Sequence, residues 1–151
     1  DAEAVLAQWG QIKAQERGDQ PGGLLDSLPQ ALPALMRAQR LGQRAARVGF
    51  DWPEAGAVWD KVAEEIEELR AAASPEEELA ELGDLFFALV QWARLRGHSA
   101  DQALRAANRR FQHRFATMER LAAERGASLE GLDAAGLDAL WEAAKSAGDK
   151  Q

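Results

Sequence analysis

The fold of this 151-residue chain is decided by the stretch LGDLFFALVQWA, residues 82–93. Nearly every position is apolar, and only Asp84 and Gln91 carry polar side chains, two turns apart on one face of a helix. A helix that is apolar around most of its circumference must be covered on more than one side. The stretch therefore predicts the central helix of a bundle, and we expect a second copy of the chain to supply part of the cover.

The rest of the chain also has a helical composition. Ala, Leu, Glu, Gln and Arg dominate, β-branched residues are scarce, and no segment alternates with a period of two. Turn and capping signals divide the chain into six predicted helices, at about 2–17, 33–47, 51–73, 75–97, 100–126 and 137–147. The sequence therefore predicts an all-α fold, an antiparallel helical bundle that homodimerisation completes.

Composition excludes several classes of site. The chain has no Cys, which removes disulfides, thiolate catalysis and Cys-ligated metal centres, and it has only two His and no Tyr. With 18 Lys plus Arg against 25 Asp plus Glu, the formal charge is −7, so we expect no nucleic-acid polymer as partner. No apolar run is long enough to span a membrane, and no secretory pattern opens the chain, so the predicted location is the cytoplasm.

The third predicted helix places an acid where an apolar residue is expected. Its apolar stripe consists of Val58, Val62, Ile66 and Leu69. Glu65 falls inside this stripe, and Glu68 lies beside it at i+3 on the same face. Two interpretations remain open here, because Glu65 either reaches water from the edge of the stripe or is buried for a functional reason.

The fourth predicted helix carries a second acidic pair. Asp84 lies in apolar surroundings, where an ionised carboxylate is costly without compensation, and Glu81 precedes it at i−3. Gly83 costs about 1 kcal/mol relative to Ala inside a helix. It is explained either by close helix packing, which we favour for Gly83 alone, or by a functional site.

These two pairs predict a metal site. Helices joined by a short turn pack antiparallel, so Glu65-x-x-Glu68 and Glu81-x-x-Asp84 meet at similar height. Four carboxylates that face one another repel unless divalent cations lie between them, and all-oxygen ligation selects Mg²⁺ or Mn²⁺. A di-iron site is excluded because it needs Glu-x-x-His, which the chain lacks.

Further segments carry a resemblance to a known family. They are Glu64-Glu65-x-x-Glu68, Glu81-x-Gly83-Asp84-Leu85-x-Phe87, the segments 32–39 and 48–52, and Asn108-x-x-Phe111-x-x-Arg114-Phe115. In this order they resemble the MazG family of nucleoside triphosphate pyrophosphohydrolases, and in particular the C-terminal catalytic module of two-module bacterial MazG. The likeness runs from about Trp9 to about Lys145, although Ala80 stands where relatives often have Glu. The resemblance implies residues 31–151 as a catalytic helical domain, with residues 1–30 as an N-terminal helix and loop, a linker from an upstream module.

The resemblance also implies an enzyme activity. The expected reaction is Mg²⁺-dependent hydrolysis of a nucleoside triphosphate, ribo or deoxy, at the α–β linkage, a house-cleaning activity on the nucleotide pool that Mn²⁺ also supports. The metal ligands would be Glu65, Glu68, Glu81 and Asp84. With no Ser-His-Asp triad or Cys nucleophile in the chain, a metal-activated water is the simplest attacking group, and Glu64 or Glu65 would act as general base.

A basic helix supplies candidate substrate-binding residues. Arg110 and Arg114 share one face at i and i+4, and Asn108 flanks the same stripe. Arginine forks suit polyphosphate oxygens, but both side chains could instead form surface ion pairs. Trp141 and Lys145 match a family pair expected near base and phosphates, whereas Trp141 could also simply anchor the last helix.

Two other functions remain open from sequence. One is a narrower relative, a dUTP- or dCTP-preferring hydrolase or a phosphoribosyl-ATP pyrophosphohydrolase. The other is a catalytically silent helical module that binds a partner. No glycine-rich phosphate loop is present, so kinase and P-loop ATPase functions are not supported.

Overall fold

Helices account for the regular structure of the part of the chain that the structure, a computed structural model, describes: residues 1–6, 8–9 and 22–148. Five α-helices lie within 22–148: α1 (Ala34–Ala46), α2 (Val58–Arg70), α3 (Pro75–Leu95), α4 (Ala100–Glu124) and α5 (Ala134–Gly148). Short 3-10 turns at Ala55–Ala57 and Leu129–Gly131 precede α2 and α5. These described residues contain no β-strand, which confirms the predicted all-α class.

The predicted N-terminal helix is only partly visible. Residues 2–6 and 8–9 are helical, whereas residues 10–17 of that prediction and the start of the following loop lie outside the described residues. No helix of the described part has both the length and the hydropathy needed to cross a bilayer.

Side-chain capping explains where α3 and α5 begin. The Ser74 hydroxyl accepts a hydrogen bond from the backbone N–H of Glu77 at 3.2 Å, and Pro75 occupies the first turn of α3, as predicted. The last helix begins at Ala134, earlier than predicted, because the Asp133 carboxylate accepts from the Gly136 N–H at 2.8 Å.

The predicted start of the third helix near residue 51 is wrong. The helix α2 begins at Val58, after a 3-10 turn, and Glu54 has an extended backbone with φ −157° and ψ 163°. Residues before that turn are not available for helix, since the Asp51 carboxylate accepts a hydrogen bond from the Trp52 N–H at 2.9 Å and binds a distant arginine. This side-chain bonding to the local backbone competes with helix formation.

The chain divides into two compact units, Asp1–Asp101 and Gln102–Gln151, and each has its own core. In the first unit Val58 and Val62 of α2 pack with Ala88 of α3, and Trp52, Ile66, Leu85, Trp92 and Leu95 surround them. In the second unit Met118 and Ala122 of α4 pack with Leu140 and Ala144 of α5. The short connection 71–74 makes α2 and α3 an antiparallel pair, which positions the candidate site.

Two helical glycines have opposite environments. A Cβ on Gly42, in α1, would lie 1.8 Å from the Oε1 atom of Gln91, a fully buried side chain of α3. A Cβ on Gly83, in α3, would meet no atom within 4 Å. The expectation that Gly83 permits close helix packing is therefore wrong, and it is Gly42 that permits the close approach of α1 to α3.

These two positions give a matched pair of substitutions. We expect Gly42→Ala to lower the free energy of unfolding by about 1–3 kcal/mol, because Gln91 must leave its position in a packed interior. We expect Gly83→Ala to raise it by about 0.4–1 kcal/mol, since alanine restricts the unfolded chain and finds free space in the helix. Urea unfolding of the three proteins measures both effects, and a neutral Gly42→Ala would contradict this description of the contact.

Candidate metal centre on the α2–α3 helix pair

The antiparallel pair brings five acidic side chains into one cluster. Glu64, Glu65 and Glu68 lie in the second half of α2, and Glu81 and Asp84 lie in the first half of α3. One carboxylate oxygen from each of Glu65, Glu81 and Asp84 lies within 4.8 Å of the others, and the same holds for Glu64, Glu65 and Glu68. Glu65 belongs to both groups and is the centre of the cluster.

Burial sets Glu65 apart from the other acids, because Glu64, Glu68 and Asp84 are exposed and Glu81 is partly buried. The expectation that Asp84 lies in apolar surroundings is therefore wrong. Glu65 is only 2% exposed, so the interpretation in which it reaches water from the edge of the stripe is wrong. Its Oε1 atom accepts a hydrogen bond from the Lys61 ammonium at 3.0 Å. Among the described residues, the Oε2 atoms of Glu65 and Glu81 are buried and have no hydrogen-bond partner. Unsatisfied buried oxygens of this kind are costly in a native protein, and a bound cation or a proton shared between the carboxylates would satisfy them.

The pKa values of Glu65 and Glu81 are shifted in opposite directions. Lys61, by its hydrogen bond, holds the pKa of Glu65 below the ordinary value, although burial opposes this effect. Glu68 beside Glu81, together with burial and Glu65, raises the pKa of Glu81 to about 7. Without a cation, the cluster is therefore expected to retain a proton on Glu81 near neutral pH, because neighbouring like charges cannot all ionise.

The donor set fits a hard divalent cation. Every candidate ligand is a carboxylate oxygen, and two of these oxygens are buried without a partner. Carboxylate oxygens are the ligands that Mg²⁺ and Mn²⁺ prefer, whereas zinc and copper sites use nitrogen or sulfur. Glu65, Glu81 and Asp84 form one group that could hold such an ion, and Glu68 belongs with Glu64 and Glu65 to the second group.

Two pockets border the cluster in the first unit. A pocket of about 230 Å³ is lined by Trp52, Lys61, Glu65, Asp84, Phe87 and Ala88. A larger pocket of about 580 Å³ shares Trp52, Lys61 and Phe87 with it and is otherwise formed largely by apolar residues of α1 and of the loop that follows α1. The acid cluster therefore opens next to a cavity in the size range of small-molecule sites.

Sequence reasoning missed several residues of this site. Lys61 lies one turn before Glu65, a spacing that predicts an ion pair on a helix and could have identified it. Trp52 lines both pockets, although the sequence pattern indicated no site role for it beyond the segment 48–52. Asp51 and Arg94 also line the larger pocket, and because they are far apart in sequence no local pattern links them.

The predicted substrate-binding residues lie in the second unit. Asn108 and Arg110 are exposed on α4, and Arg114, one turn further along, places its guanidinium carbon 5.7 Å from the centre of the Trp141 ring. Trp141 also packs against the core of this unit, which agrees with an anchoring role for α5. Lys145 pairs with Glu142 at 3.2 Å. The structure thus brings Arg114 and Trp141 together, and the binding roles of these five residues stay predictions.

The fold and the site define an all-α protein with a carboxylate cluster of metal-binding type on a helix pair, centred on the buried Glu65. No protein-family model matches the chain. It is 45% identical over 147 residues to the nucleoside triphosphate pyrophosphohydrolase of Escherichia coli strain K12, an alignment that covers 93% of this chain and 56% of that protein. The nucleoside triphosphate pyrophosphohydrolase/pyrophosphatase MazG of Thermotoga maritima is 41% identical over 138 residues, with coverages of 91% and 54%.

A third relative is the uncharacterized protein YabN of Bacillus subtilis, 41% identical over 149 residues, which are 96% of this chain and 30% of that protein. The predicted resemblance to the MazG family is confirmed by these similarities. The chain spans about half the length of the first two relatives.

The raised pKa of Glu81 predicts a pH-dependent stability in the presence of a chelator. Between its unfolded value of 4.5 and its folded value of about 7, the folded state holds the proton more tightly, so stability is lost as pH rises. We expect Glu81→Gln to raise the melting temperature strongly at about pH 8 and little at about pH 5, because Gln cannot ionise. Glu67→Gln, at an exposed surface pair with Arg70, is the control. An equal effect of Glu81→Gln at both pH values would contradict this prediction.

Proposed function

We propose that the chain hydrolyses nucleoside triphosphates at the α–β linkage to nucleoside monophosphate and pyrophosphate, with Mg²⁺ as cofactor and Mn²⁺ as a substitute. The observation that carries the proposal is the carboxylate cluster around the buried Glu65, in which two buried oxygens have no hydrogen-bond partner among the described residues. The names of the Escherichia coli and Thermotoga maritima relatives support the same activity. Such an enzyme would act as a hydrolase on acid anhydrides in house-cleaning of the nucleotide pool, and the cytoplasm stays its predicted location.

In this proposal the acidic residues have two roles, cation binding and general-base catalysis. The cation would be held by Glu65, Glu68, Glu81 and Asp84. When bound, such a cation neutralises the charge of phosphate oxygens and lowers the pKa of a bound water. Glu64 lies beside this set, is exposed, and contacts Lys61 at 3.4 Å, so it is placed to accept a proton from outside the buried centre. Glu65 remains the second candidate base, since Lys61 keeps it ionised.

Basic and aromatic residues would bind the rest of the substrate. Lys61 combines contact with the cluster and partial exposure, and it lines both pockets, so its ammonium could contact a phosphate. The adjoining apolar cavity of about 580 Å³ has the size and lining of a site for the nucleoside. Binding roles for Asn108, Arg110, Arg114, Trp141 and Lys145 are part of the proposal, supported by arginine's fit to polyphosphate and by the exposure of Asn108 and Arg110.

The activity is tested by pyrophosphate release from a panel of ribo- and deoxynucleoside triphosphates with Mg²⁺. We expect Glu68→Ala and Asp84→Ala to lower kcat/KM at least about 100-fold, because even outer residues of metal sites often cost 10–100-fold. Glu67→Ala, an exposed acid of the same helix outside the cluster, is the control. Turnover of one base alone would indicate a narrower hydrolase, and no turnover by the folded protein would indicate a binding module.

We further propose that the chain forms a homodimer. An apolar stripe of α3 faces away from the core and is exposed; it consists of Leu79, Leu82, Phe86 and Leu89. Phe86 is 54% exposed and Leu79 is 73% exposed, whereas Ala88, Val90 and Gln91 of the same helix are buried. A contiguous apolar face of this kind is typical of protein interfaces, and a second copy would cover it by symmetry.

Light scattering after size-exclusion chromatography tests the dimer. We expect a mass of twice 16.4 kDa for the unaltered chain, and a shift to monomer for Phe86→Glu, because a charge is costly at the centre of an apolar interface. Val48→Glu, at an exposed apolar residue outside the stripe, should leave the mass unchanged. A monomeric unaltered chain that is active would contradict the proposal.

A further inference from the structure

Near the C-terminal end of α3, the guanidinium of Arg94 forms hydrogen bonds to Gln91 and Asp51. Its Nε donates to the Oε1 atom of Gln91 at 2.7 Å, and its two terminal nitrogens donate to the two carboxylate oxygens of Asp51 at 3.1 and 2.5 Å. The Arg94 side chain is only 10% exposed. A two-pronged contact between guanidinium and carboxylate fixes both groups in orientation as well as in distance.

Gln91 connects this arginine to α1. The side chain is fully buried, and its Nε2 donates to the backbone carbonyl of Ala38 at 2.9 Å. Gly42, one turn further along α1, leaves the space that the amide occupies. The amide of Gln91 is therefore fixed at both ends, and it orients the guanidinium of Arg94. We call Gln91, Arg94 and Asp51 the relay.

Asp51 connects Arg94 to the loop after α1. Gly49, in this loop, has a φ of +85°, a left-handed backbone conformation that favours glycine. The Asp51 Oδ1 atom that binds Arg94 also accepts the N–H of Trp52 at 2.9 Å, and Arg94 holds the pKa of Asp51 below its ordinary value. The ionised carboxylate thus fixes the position of the Trp52 backbone N–H, and with it the backbone that carries the Trp52 side chain.

Trp52 is the point at which the relay reaches the site. Its side chain packs against the core residues of α2 and α3, and it lines the small pocket that contains Glu65 and Asp84. It also lines the larger apolar pocket. Asp51 and Arg94 line only the larger of these two pockets, so the relay contacts the acid pocket through Trp52.

We infer that the relay fixes the position of Trp52, which with Lys61 and Phe87 lines both the acid pocket and the apolar pocket, and that it thereby sets the affinity for the nucleotide. Gln91 lines neither pocket, and Asp51 and Arg94 line only the apolar pocket, so in this inference all three act on the acid pocket as positioning residues through Trp52. The inference rests on the proposed function, since the substrate would lie across both pockets. Disturbing the relay then weakens substrate binding and leaves cation binding by the carboxylates intact.

Steady-state kinetics of Asp51→Asn and Arg94→Lys measure this effect. We expect KM to rise about tenfold or more, since a charge-assisted hydrogen bond in the relay is lost, and kcat to change less than about threefold. Affinity for Mn²⁺ without nucleotide should stay within about twofold of the unaltered protein. Arg70→Ala, at an exposed arginine of α2, is the control and should change none of these values. If Asp51→Asn does not fold, Arg94→Lys carries the same measurements.

A double-mutant cycle separates positioning of Trp52 from a general structural role. If Asp51 acts through Trp52, Asp51→Asn should raise KM by less than about twofold in a Trp52→Ala background. Full additivity of the two effects, an unchanged KM in the single variants, or a parallel loss of Mn²⁺ affinity would each overturn the inference.

Fluorescence quenching tests the same inference without any activity. The Trp52 signal is the difference between each protein and its Trp52→Phe counterpart. We expect acrylamide to quench this signal about twice as efficiently in Asp51→Asn, because the loop is released. Unchanged quenching in Asp51→Asn would overturn the positioning role. If Asp51→Asn shows the increase but the unaltered protein hydrolyses no nucleotide, only the proposed function is overturned.

Discussion

The structure depends on the burial of one carboxylate, that of Glu65, next to other acids. The Lys61 ammonium contacts it, and within the described part of the chain one oxygen of Glu65 and one of Glu81 are buried without a partner. Water would solvate these oxygens in an unfolded chain, so folding is opposed by their desolvation and by their mutual repulsion. An apolar interior at this position would be more stable, and a cation between the two helices is the simplest compensation.

The rest of the first unit positions this carboxylate. The short connection between α2 and α3 sets the register in which Glu65 meets Glu81 and Asp84. The packing of Val58, Val62 and Ala88 holds the two helices together beside the cluster. Gln91 fixes α1 against α3 and, through Arg94 and Asp51, fixes the loop that carries Trp52. The polar groups of the site and the apolar core thus constrain one another.

Local sequence patterns predicted much of this arrangement. Capping signals gave the start of α3, the periodicity of α2 placed Glu65 inside an apolar stripe, and the i,i+3 pairs indicated which acids share a face. The start of α2 was mispredicted because Asp51 bonds Arg94, 43 residues away, and no local pattern reveals such a partner. The role of Gly83 was mispredicted for the same reason, since the space around a glycine is set by helices distant in sequence.

Anomalous scattering from crystals grown with Mn²⁺ would show directly whether a cation binds between α2 and α3. We expect a peak about 2.1–2.2 Å from carboxylate oxygens of Glu65, Glu81 and Asp84. The same experiment on Glu65→Gln, in which the buried charge is removed and the shape is kept, should show a weakened or absent peak. A fully occupied peak elsewhere, with none between α2 and α3, would contradict the account.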